Sequence, residues 1–588
     1  MSTSTTVDVR SVPFELVTDP AALAAAVSAC RRAPVVGVDV ETTGLDPISD
    51  RLRLLQLATD ECVWVVDCWQ AGIEPAGDLL ADPQVLKVFH NAAFDLRFLM
   101  AADLDVSEVR LFDTMLAGQL LSCGQPPSDG HSLAALASRY LGVALDKTLQ
   151  SSSFAGALSA GQIAYSAADA AVLLPLATEL SGLLRKLGLG KAAALEFSAV
   201  PALADMEQAG LYLDQDLWAA LGRDLQAERT SLQDKLAAGL LASGPNASFW
   251  PVPANPGSPA QVLSALQAMG LQLADTEEPT LREMQRQTGL GVLSDLLAYR
   301  KADKLLSAFV EKFLQHLHPV TGRLHAHYSQ CRTAAGRLAC RDPNVQQVPR
   351  EVRFRQCFRA PEGRRLVVAD YSQIELRVVA ALSGDRRMLA AYHEGRDLHR
   401  ETASLIAGAA PSEVTKEARQ AAKACAFGLV FGMQEAGLQA YARDSYGVEM
   451  TLAEAASFRQ RFFDGYPGVR EWHRRQKALR EVRTRSGRLR RFADGRPKET
   501  ELYNTPVQGT AADIIKRALA RVFLAVRPLG AQIVACVHDE LLVECAETGA
   551  VEVRSVVASE MVRAAEEFLP EVPVEVEAAV CASWGEKS

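Results

Sequence analysis

Apolar and polar positions along the chain fall into two rhythms. The runs VVGVDV, LRLLQLA and CVWVVD, separated by turns over residues 35–67, predict strands, and helical patterns follow to about residue 190. From 191 to about 242 the period is helical, with Leu217, Leu221, Leu225, Leu232 and Leu236 on one face. The segment SGPNASFWPVPANPGSP at 243–259 interrupts it, and a further helical stretch runs from Pro259 to about His316. Residues 200–320 thus read as two long helical arms around a Pro/Gly-rich connection, the outline of a clamp. Short strand and turn signals follow, then LVVADYSQIELR at 366–377, whose apolar start predicts a buried strand. A helix-rich insertion spans about 397–480, and IVACVHDELLVEC at 533–545 predicts a hairpin with acids at its tip.

The acids in these patterns carry the chemistry. Asp370 ends a strand that has no structural use for a carboxylate, and Asp539 and Glu540 stand between two β-prone runs. Carboxylates delivered to one spot by two strands repel, and a divalent metal is the ordinary way to offset that, so the pattern predicts a Mg²⁺ site for phosphoryl transfer. Nearer the N-terminus, Asp39 and Glu41 are two apart on a strand and project from one face. Asn91 and Asp95, and then Tyr165 and Asp169, are four apart on predicted helices. Four carboxylates and a phenol are therefore available to converge, and four acids around one point require metal ions. Arg419, Lys423 and Phe427 recur at helical spacing, placing two cations and an aromatic ring along one side, a face able to bind a triphosphate and stack on a base.

Composition narrows the setting. A chain of 588 residues is too long for one core. With 48% hydrophobic and 23% charged residues it reads as an ordinary soluble protein, and no apolar run approaches the roughly 18 residues needed to span a bilayer. The first twenty residues carry Asp8, Glu15 and Asp19 and predict neither a secretory signal nor a transit peptide. Eleven cysteines without a C-x-x-C pair fit reduced thiols in a cytoplasmic protein. The net charge of −9 hides a local field: residues 471–500 hold eleven Lys/Arg against four Asp/Glu, a stretch suited to a phosphate backbone.

The acid motifs also carry a resemblance. Asp39-x-Glu41, Asn91-x3-Asp95 and Tyr165-x3-Asp169, with HSLAALASRYLGVALDK at 131–147, resemble the four-carboxylate, tyrosine-containing 3′–5′ exonucleases. DYSQIEL at 370–376, RQAAKACAFGLVFG at 419–432 and VHDE at 537–540 resemble motifs A, B and C of family A DNA polymerases. TAAGRL at 333–338, DPNVQQVP at 342–349, DLH at 397–399, YPG at 466–468 and NTPVQGTAADIIKRA at 504–518 extend the likeness to nearly the whole chain. It implies an α/β multidomain protein: a ribonuclease H-like 3′–5′ exonuclease domain at 1–190, then a right-hand polymerase with thumb at 191–345, palm at 346–400 and 501–588, and fingers at 401–500. The implied activity is template-directed addition of dNTPs to a primer 3′-OH with proofreading, in replication or repair, on primer–template DNA. Two Mg²⁺ ions per active site are implied, with Mn²⁺ able to substitute. Asp39, Glu41, Asp95 and Asp169 would hold one pair while Tyr165 orients the attacking water; Asp370 and Asp539 would hold the other, with Glu540 a secondary acid. The resemblance further implies nucleotide contacts for Arg419, Lys423, Phe427, Phe431, His399 and Gln373, and makes Glu375 the steric gate against a ribose 2′-OH. DNA contacts are implied for Arg337, Asn344, Gln346, Asn504, Gln508 and His538. A monomer in the cytoplasm of a bacterial or phage-infected cell is expected, without the 5′ nuclease domain of full-length bacterial enzymes.

Three positions depart from that pattern: Phe431 where Tyr is usual, losing a hydroxyl near Glu375, Thr500 where Arg is usual, and Gln347 where Asn is usual. Competing readings are a ribonuclease D-like nuclease, a noncatalytic DNA-binding scaffold and a single-subunit RNA polymerase. Asp370, Lys423 and Asp539 speak against the first, the repulsion of phosphate by unmetallated acids against the second, and Glu375 against the third.

Overall fold

The computed structural model describes residues 12–241, 253–408, 410–492 and 497–587. The chain divides into two compact units: Met1–Ala209, His327–Arg341 and Gly363–Val580 form the first, and Gly210–Ala326, Asp342–Glu362 and Cys581–Ser588 the second.

The first unit holds two sheets of more than two strands. One has six strands, β1 (Phe14–Val17), β2 (Val35–Thr42), β3 (Leu52–Ala58), β4 (Val63–Asp67), β5 (Leu86–Phe89) and β6 (Leu111–Asp113), in the order β1-β4-β3-β2-β5-β6. The three runs read as strands from the sequence are β2, β3 and β4, which pair antiparallel, while β5 joins β2 in parallel. Every residue of β3 is buried, which explains its nearly unbroken apolar run. The helices Ala160–Ala171 and Leu173–Lys186 lie over this sheet, and together form a 27-residue stretch apolar enough by composition to cross a bilayer. The sequence suggested no run of that length. The structure accounts for it as core, since Val172, Leu173, Leu176 and Leu180 are fully buried against the sheet. Close packing depends on Gly37 of β2, where a Cβ would lie 3.0 Å from the Ala170 carbonyl and 3.2 Å from the Ala58 Cβ.

The other sheet has four strands, in the order Gln532–Val537, Glu540–Ala546, Arg364–Tyr371, Val576–Cys581. The first two form the hairpin expected from the sequence, and the helices Glu499–Val526 and Ala550–Glu566 pack beside each other in the same unit. Beneath Glu499–Val526 lies a buried ionic network. Lys516 donates to Glu196 and, at 2.8 Å, to the Gln330 carbonyl; Arg488 reaches both Glu196 and Asp513, the latter at 2.8 Å; Thr484 and Ser486 each donate to Asp513 at 2.6 Å. Glu196, Asp513 and Lys516 are all 0% exposed. Two anions and two cations thus balance in a dry site, which is what makes their burial tolerable.

The second unit corrects the picture of two simple arms. One long helix, Gln215–Gly239, begins at Asp214, whose carboxylate accepts from the Leu217 amide at 3.0 Å. The other arm is a series, Pro259–Ala268, Glu278–Thr288, Gly291–Leu305 and Glu311–Gln315, with a π-helical turn at Leu306–Val310. Leu221, Leu225, Leu232 and Leu236 are buried as expected, but Leu217 is only half-buried and its neighbour Trp218 is fully buried in its place. Trp218 packs on Phe313, Phe354 and Phe358, and its indole N–H donates to the Val310 carbonyl at 3.1 Å. The connection at 243–259 lies largely outside the described residues. All eleven cysteines are unbridged.

Candidate active sites

In the six-stranded sheet, Asp39 and Glu41 lie on the central strand β2, both half-buried. Asp95 is in the first turn of the Ala92–Ala101 helix and is buried. Asn91 is not one turn ahead of it on that helix, as the spacing suggested. It is the residue before the helix, in the left-handed region at φ 65°. The entry is held by Asp113, whose carboxylate accepts from the amides of Asn91 and Ala92 at 3.3 and 2.7 Å. Tyr165 and Asp169 share the Ala160–Ala171 helix as expected, started by a reciprocal cap between Ser159 and Gln162.

The electrostatics of these acids show mutual proximity. Burial pushes Asp39 up to about 7, with Asp169 adding and Lys147 opposing. Burial, Asp39 and Asp169 push Glu41 up to about 9. Asp95 is held well above the usual carboxylate range by burial, then by Asp39, Asp113 and Glu41. Burial also raises Asp169, against the opposing pull of Lys147 and of the Tyr165 hydroxyl. Acids that raise one another's proton affinity are a cation-binding set. Lys147 is the residue the sequence reading missed: its ammonium lies 2.6 Å from Asp169 and 3.5 Å from the Tyr165 hydroxyl. It follows the Leu133–Leu141 helix in an irregular stretch, without any periodicity to single it out.

In the four-stranded sheet, Asp370 lies directly opposite Glu540 in register, and the Tyr371 amide donates to the Asp539 carbonyl at 3.4 Å. The hairpin turn consists of His538 and Asp539, with His538 in the left-handed region at φ 61°. The backbones of three acids therefore adjoin at one end of the sheet. Among the described residues, no three His, Cys, Asp or Glu side chains are gathered into a ready-made cage. Glu375 stands in the first turn of the Ile374–Ser383 helix and forms an ion pair with Arg337. Burial raises its carboxyl, Arg337 opposes this and Asp539 adds to it, which puts Glu375 within electrostatic reach of the acid at the hairpin turn. Gln373 precedes that helix at φ 55° and accepts from the Tyr392 hydroxyl at 3.5 Å.

Arg419, Lys423 and Phe427 lie on the Lys416–Val430 helix, capped by Thr415. The Phe427 ring is 6.3 Å from that of His399 and 6.4 Å from that of Phe431, which ends the helix. His399 is buried in the first turn of Leu398–Ala407, and burial lowers its pKa to about 4, Lys423 and Arg419 adding to the effect. Asp397, a second residue not singled out, caps that helix and holds the Arg419 guanidinium at 2.6 Å. Its signal was present as an N-cap aspartate two residues before His399.

Asn504 and Gln508 are one turn apart on Glu499–Val526, both half-buried, and the buried Asn504 Oδ1 has no hydrogen-bond partner among the described residues. Arg337, Asn504, Gln508 and His538 belong to the first unit; Asn344 and Gln346 belong to the second, where the Asn344 side chain accepts from the Gln346 amide at 3.1 Å. The basic stretch at 471–500 is less available to phosphate than its charge suggested. Arg474, Lys477, Arg485, Arg490 and Arg491 are paired with carboxylates, and Arg488 lies in the buried network.

Comparison with known proteins bears on both domains. Residues 250–586 match DNA polymerase family A, and residues 14–185 match the 3'-5' exonuclease domain. DNA polymerase I of Aquifex aeolicus is 33% identical over 97% of this chain and 99% of its own length. DNA polymerase I of Pseudomonas aeruginosa is 31% identical over 98% of this chain, which spans 66% of that longer protein. Among solved structures, the POL domain of Pol1 from M. smegmatis, in complex with DNA primer-template and dNTP, superposes with a TM-score of 0.81 at 28% identity, covering 97% of this chain and 99% of that one. With a 3′–5′ exonuclease domain leading into a polymerase domain, the chain belongs to the family A DNA polymerases.

Proposed function

We propose that the protein extends a primer 3′-OH with dNTPs at the Asp370–Asp539 site and removes mispaired 3′ nucleotides at the Asp39–Asp169 site. The observation that carries the first half is the meeting of Asp370, Asp539 and Glu540 at one sheet end, beside the Glu375–Arg337 pair. Asp370 and Asp539 would hold Mg²⁺ ions for synthesis, and Asp39, Glu41, Asp95 and Asp169 those for degradation; Mg²⁺, or Mn²⁺ in its place, supplies activation of the attacking oxygen and neutralisation of the leaving one.

The chain's own residues do the positioning. Arg419 and Lys423 bind the triphosphate, Phe427 stacks on the incoming base, and Phe431 and His399 support that ring. Asp397 keeps Arg419 extended until a nucleotide replaces it. Glu375 excludes a ribose 2′-OH, held in place by Arg337 where the usual Tyr hydroxyl is absent at Phe431. Gln373 and His538 border the primer end, with Glu540 a secondary acid. Arg337, Asn504 and Gln508, with Asn344 and Gln346, contact the duplex, and the open acceptor of Asn504 supports that assignment. Tyr165 orients the water that attacks the terminal phosphodiester. On this reading residues 1–190 edit, 191–345 form the thumb, 346–400 and 501–588 the palm, and 401–500 the fingers. The partners are primer–template DNA and dNTPs, and the protein works as a monomer in the cytoplasm, in replication or repair.

The test is a gel assay on a 5′-labelled primer–template with Mg²⁺, with and without the four dNTPs. Extension with dNTPs and shortening without them is the expected result. Shortening under both conditions would leave only the nuclease half, and would turn attention to Phe431 and Thr500.

A further inference from the structure

Four carboxylates in one pocket need positive charge even before a metal arrives, and the chain supplies it. The Lys147 ammonium is 2.6 Å from Asp169 Oδ2, 3.5 Å from the Tyr165 hydroxyl and 5.3 Å from the Tyr165 ring centroid. Its charge opposes the upward shifts of Asp39, Glu41 and Asp169 alike. A lysine built in only to hold the fold would resemble Lys516, which is 0% exposed and held by Glu196 and a backbone carbonyl. Lys147 differs: its side chain keeps 23% of its surface in solvent, whereas that of Asp169 keeps only 8%. It also stands in the irregular stretch Val143–Leu149, whose other six residues, though not Lys147 itself, line a cavity of about 410 Å³ together with Tyr165 and Asp169. The ammonium therefore sits on a flexible stem that keeps some access to solvent beside the two residues it holds.

We propose that Lys147 is a positioning residue of the exonuclease site, an internal cation that holds Asp169 and Tyr165 in place until divalent metal takes the acids, and then moves onto the phosphate of the terminal nucleotide. Metal displaces one ammonium from the carboxylates, and the freed ammonium meets the phosphodiester that the metal site has drawn in. Tyr165, which also hydrogen-bonds Asp169, is then released from Lys147 to orient water. The inference rests on the exonuclease reading, and it makes a distinct demand on metal binding in the absence of DNA.

The experiment uses the full chain with Lys147→Met and Lys147→Arg, each checked for folding by its thermal melt. Mn²⁺ binding without DNA is followed by the electron paramagnetic resonance of the free ion, and exonuclease-site binding is defined as the part lost in Asp39→Ala/Glu41→Ala. Removing a competing unit charge at contact distance should tighten Mn²⁺ binding by about fivefold in Lys147→Met, with Lys147→Arg close to wild type. Single-turnover removal of a 3′ nucleotide at saturating metal should fall by about 10–100-fold in Lys147→Met and recover in Lys147→Arg. Unchanged or weaker Mn²⁺ binding in Lys147→Met, or an undiminished single-turnover rate, overturns the proposal. A wild-type protein that does not shorten DNA at all overturns the exonuclease reading instead, and the Mn²⁺ titration still decides the role of Lys147.

Discussion

Replacing Lys516 by Met removes one of two cations from a site where Glu196 and Asp513 are both fully buried. Met fills most of the volume, so the change is chiefly electrical. Glu196 keeps the Arg488 guanidinium and the Gln330 amide at 2.7 Å, while the Gln330 carbonyl loses its donor. The network moves from balance to one uncompensated negative charge. Breaking a buried pair from one side costs about 3–5 kcal/mol, most of it the burden of the charge left behind. The surviving partners of Glu196 place the loss toward the lower end, at about 3 kcal/mol. Urea unfolding followed by circular dichroism measures it, and adding Glu196→Gln to Lys516→Met should recover much of the loss by removing the orphaned charge. The same logic fixes a pH dependence. Lys516 and Arg488 hold the Glu196 carboxyl below its usual range against the effect of burial. Without Lys516 its folded pKa rises above the unfolded value, so the variant should lose further stability as pH increases from 5 to 8. A loss below about 1 kcal/mol, or no recovery in the double variant, would refute the view that this network is electrostatically balanced.

Other outcomes follow from the two sites. Asp539→Ala should abolish primer extension and leave 3′ shortening intact, and Asp39→Ala with Glu41→Ala should do the reverse; retained extension or undiminished shortening respectively would remove those acids from their metal sites. Burial and nearby cations lower His473 to about 4; its ring stacks on Tyr503 at 3.8 Å and its Nε2–H donates to the Val430 carbonyl at 2.8 Å. A depressed histidine pKa means the unfolded chain takes up the extra proton, so stability should fall as pH drops from about 6.5 to about 4, and His473→Phe should flatten that slope by close to one proton in urea titrations. Phe427, by family likeness, predicts poor use of dideoxynucleotides; efficient termination in a primer-extension ladder would contradict its place against the incoming nucleotide.

What the sequence made legible was whatever a short period could encode. Asp39 with Glu41 and Tyr165 with Asp169 announce themselves because a strand and a helix repeat within two and four residues, and both pairs stand on the elements expected. Asp370 and Asp539 were legible because an acid closing an apolar run is conspicuous. Lys147 closes the run HSLAALASRYLGVALDK that carried part of the resemblance, but no period singles it out, and it meets Asp169 only where its irregular stretch reaches the Ala160–Ala171 helix. Glu196 and Lys516 are 320 residues apart, a separation that no local pattern spans. Arginine density at 471–500 gave the wrong emphasis for a related reason: composition reports charge but not the partners that neutralise it. The tryptophan core of the second unit was likewise hidden, because a leucine stripe is read by period while Trp218 lies one residue off it.

The contact at Gly37 bears on how often errors survive copying. The glycine lies two residues before Asp39, and the carbonyl of Ala170, next to Asp169, would be 3.0 Å from any Cβ placed there. A methyl group at this point would require helix and strand to give by a few tenths of an ångström, at the seam between Asp39 and Asp169, without altering any acid. Shifts of under an ångström in a catalytic constellation change rates severely. The balance between copying speed and mutation rate in a cell relying on this enzyme would then be adjustable at a position with no chemistry of its own, through the thickness of one hydrogen-for-methyl exchange.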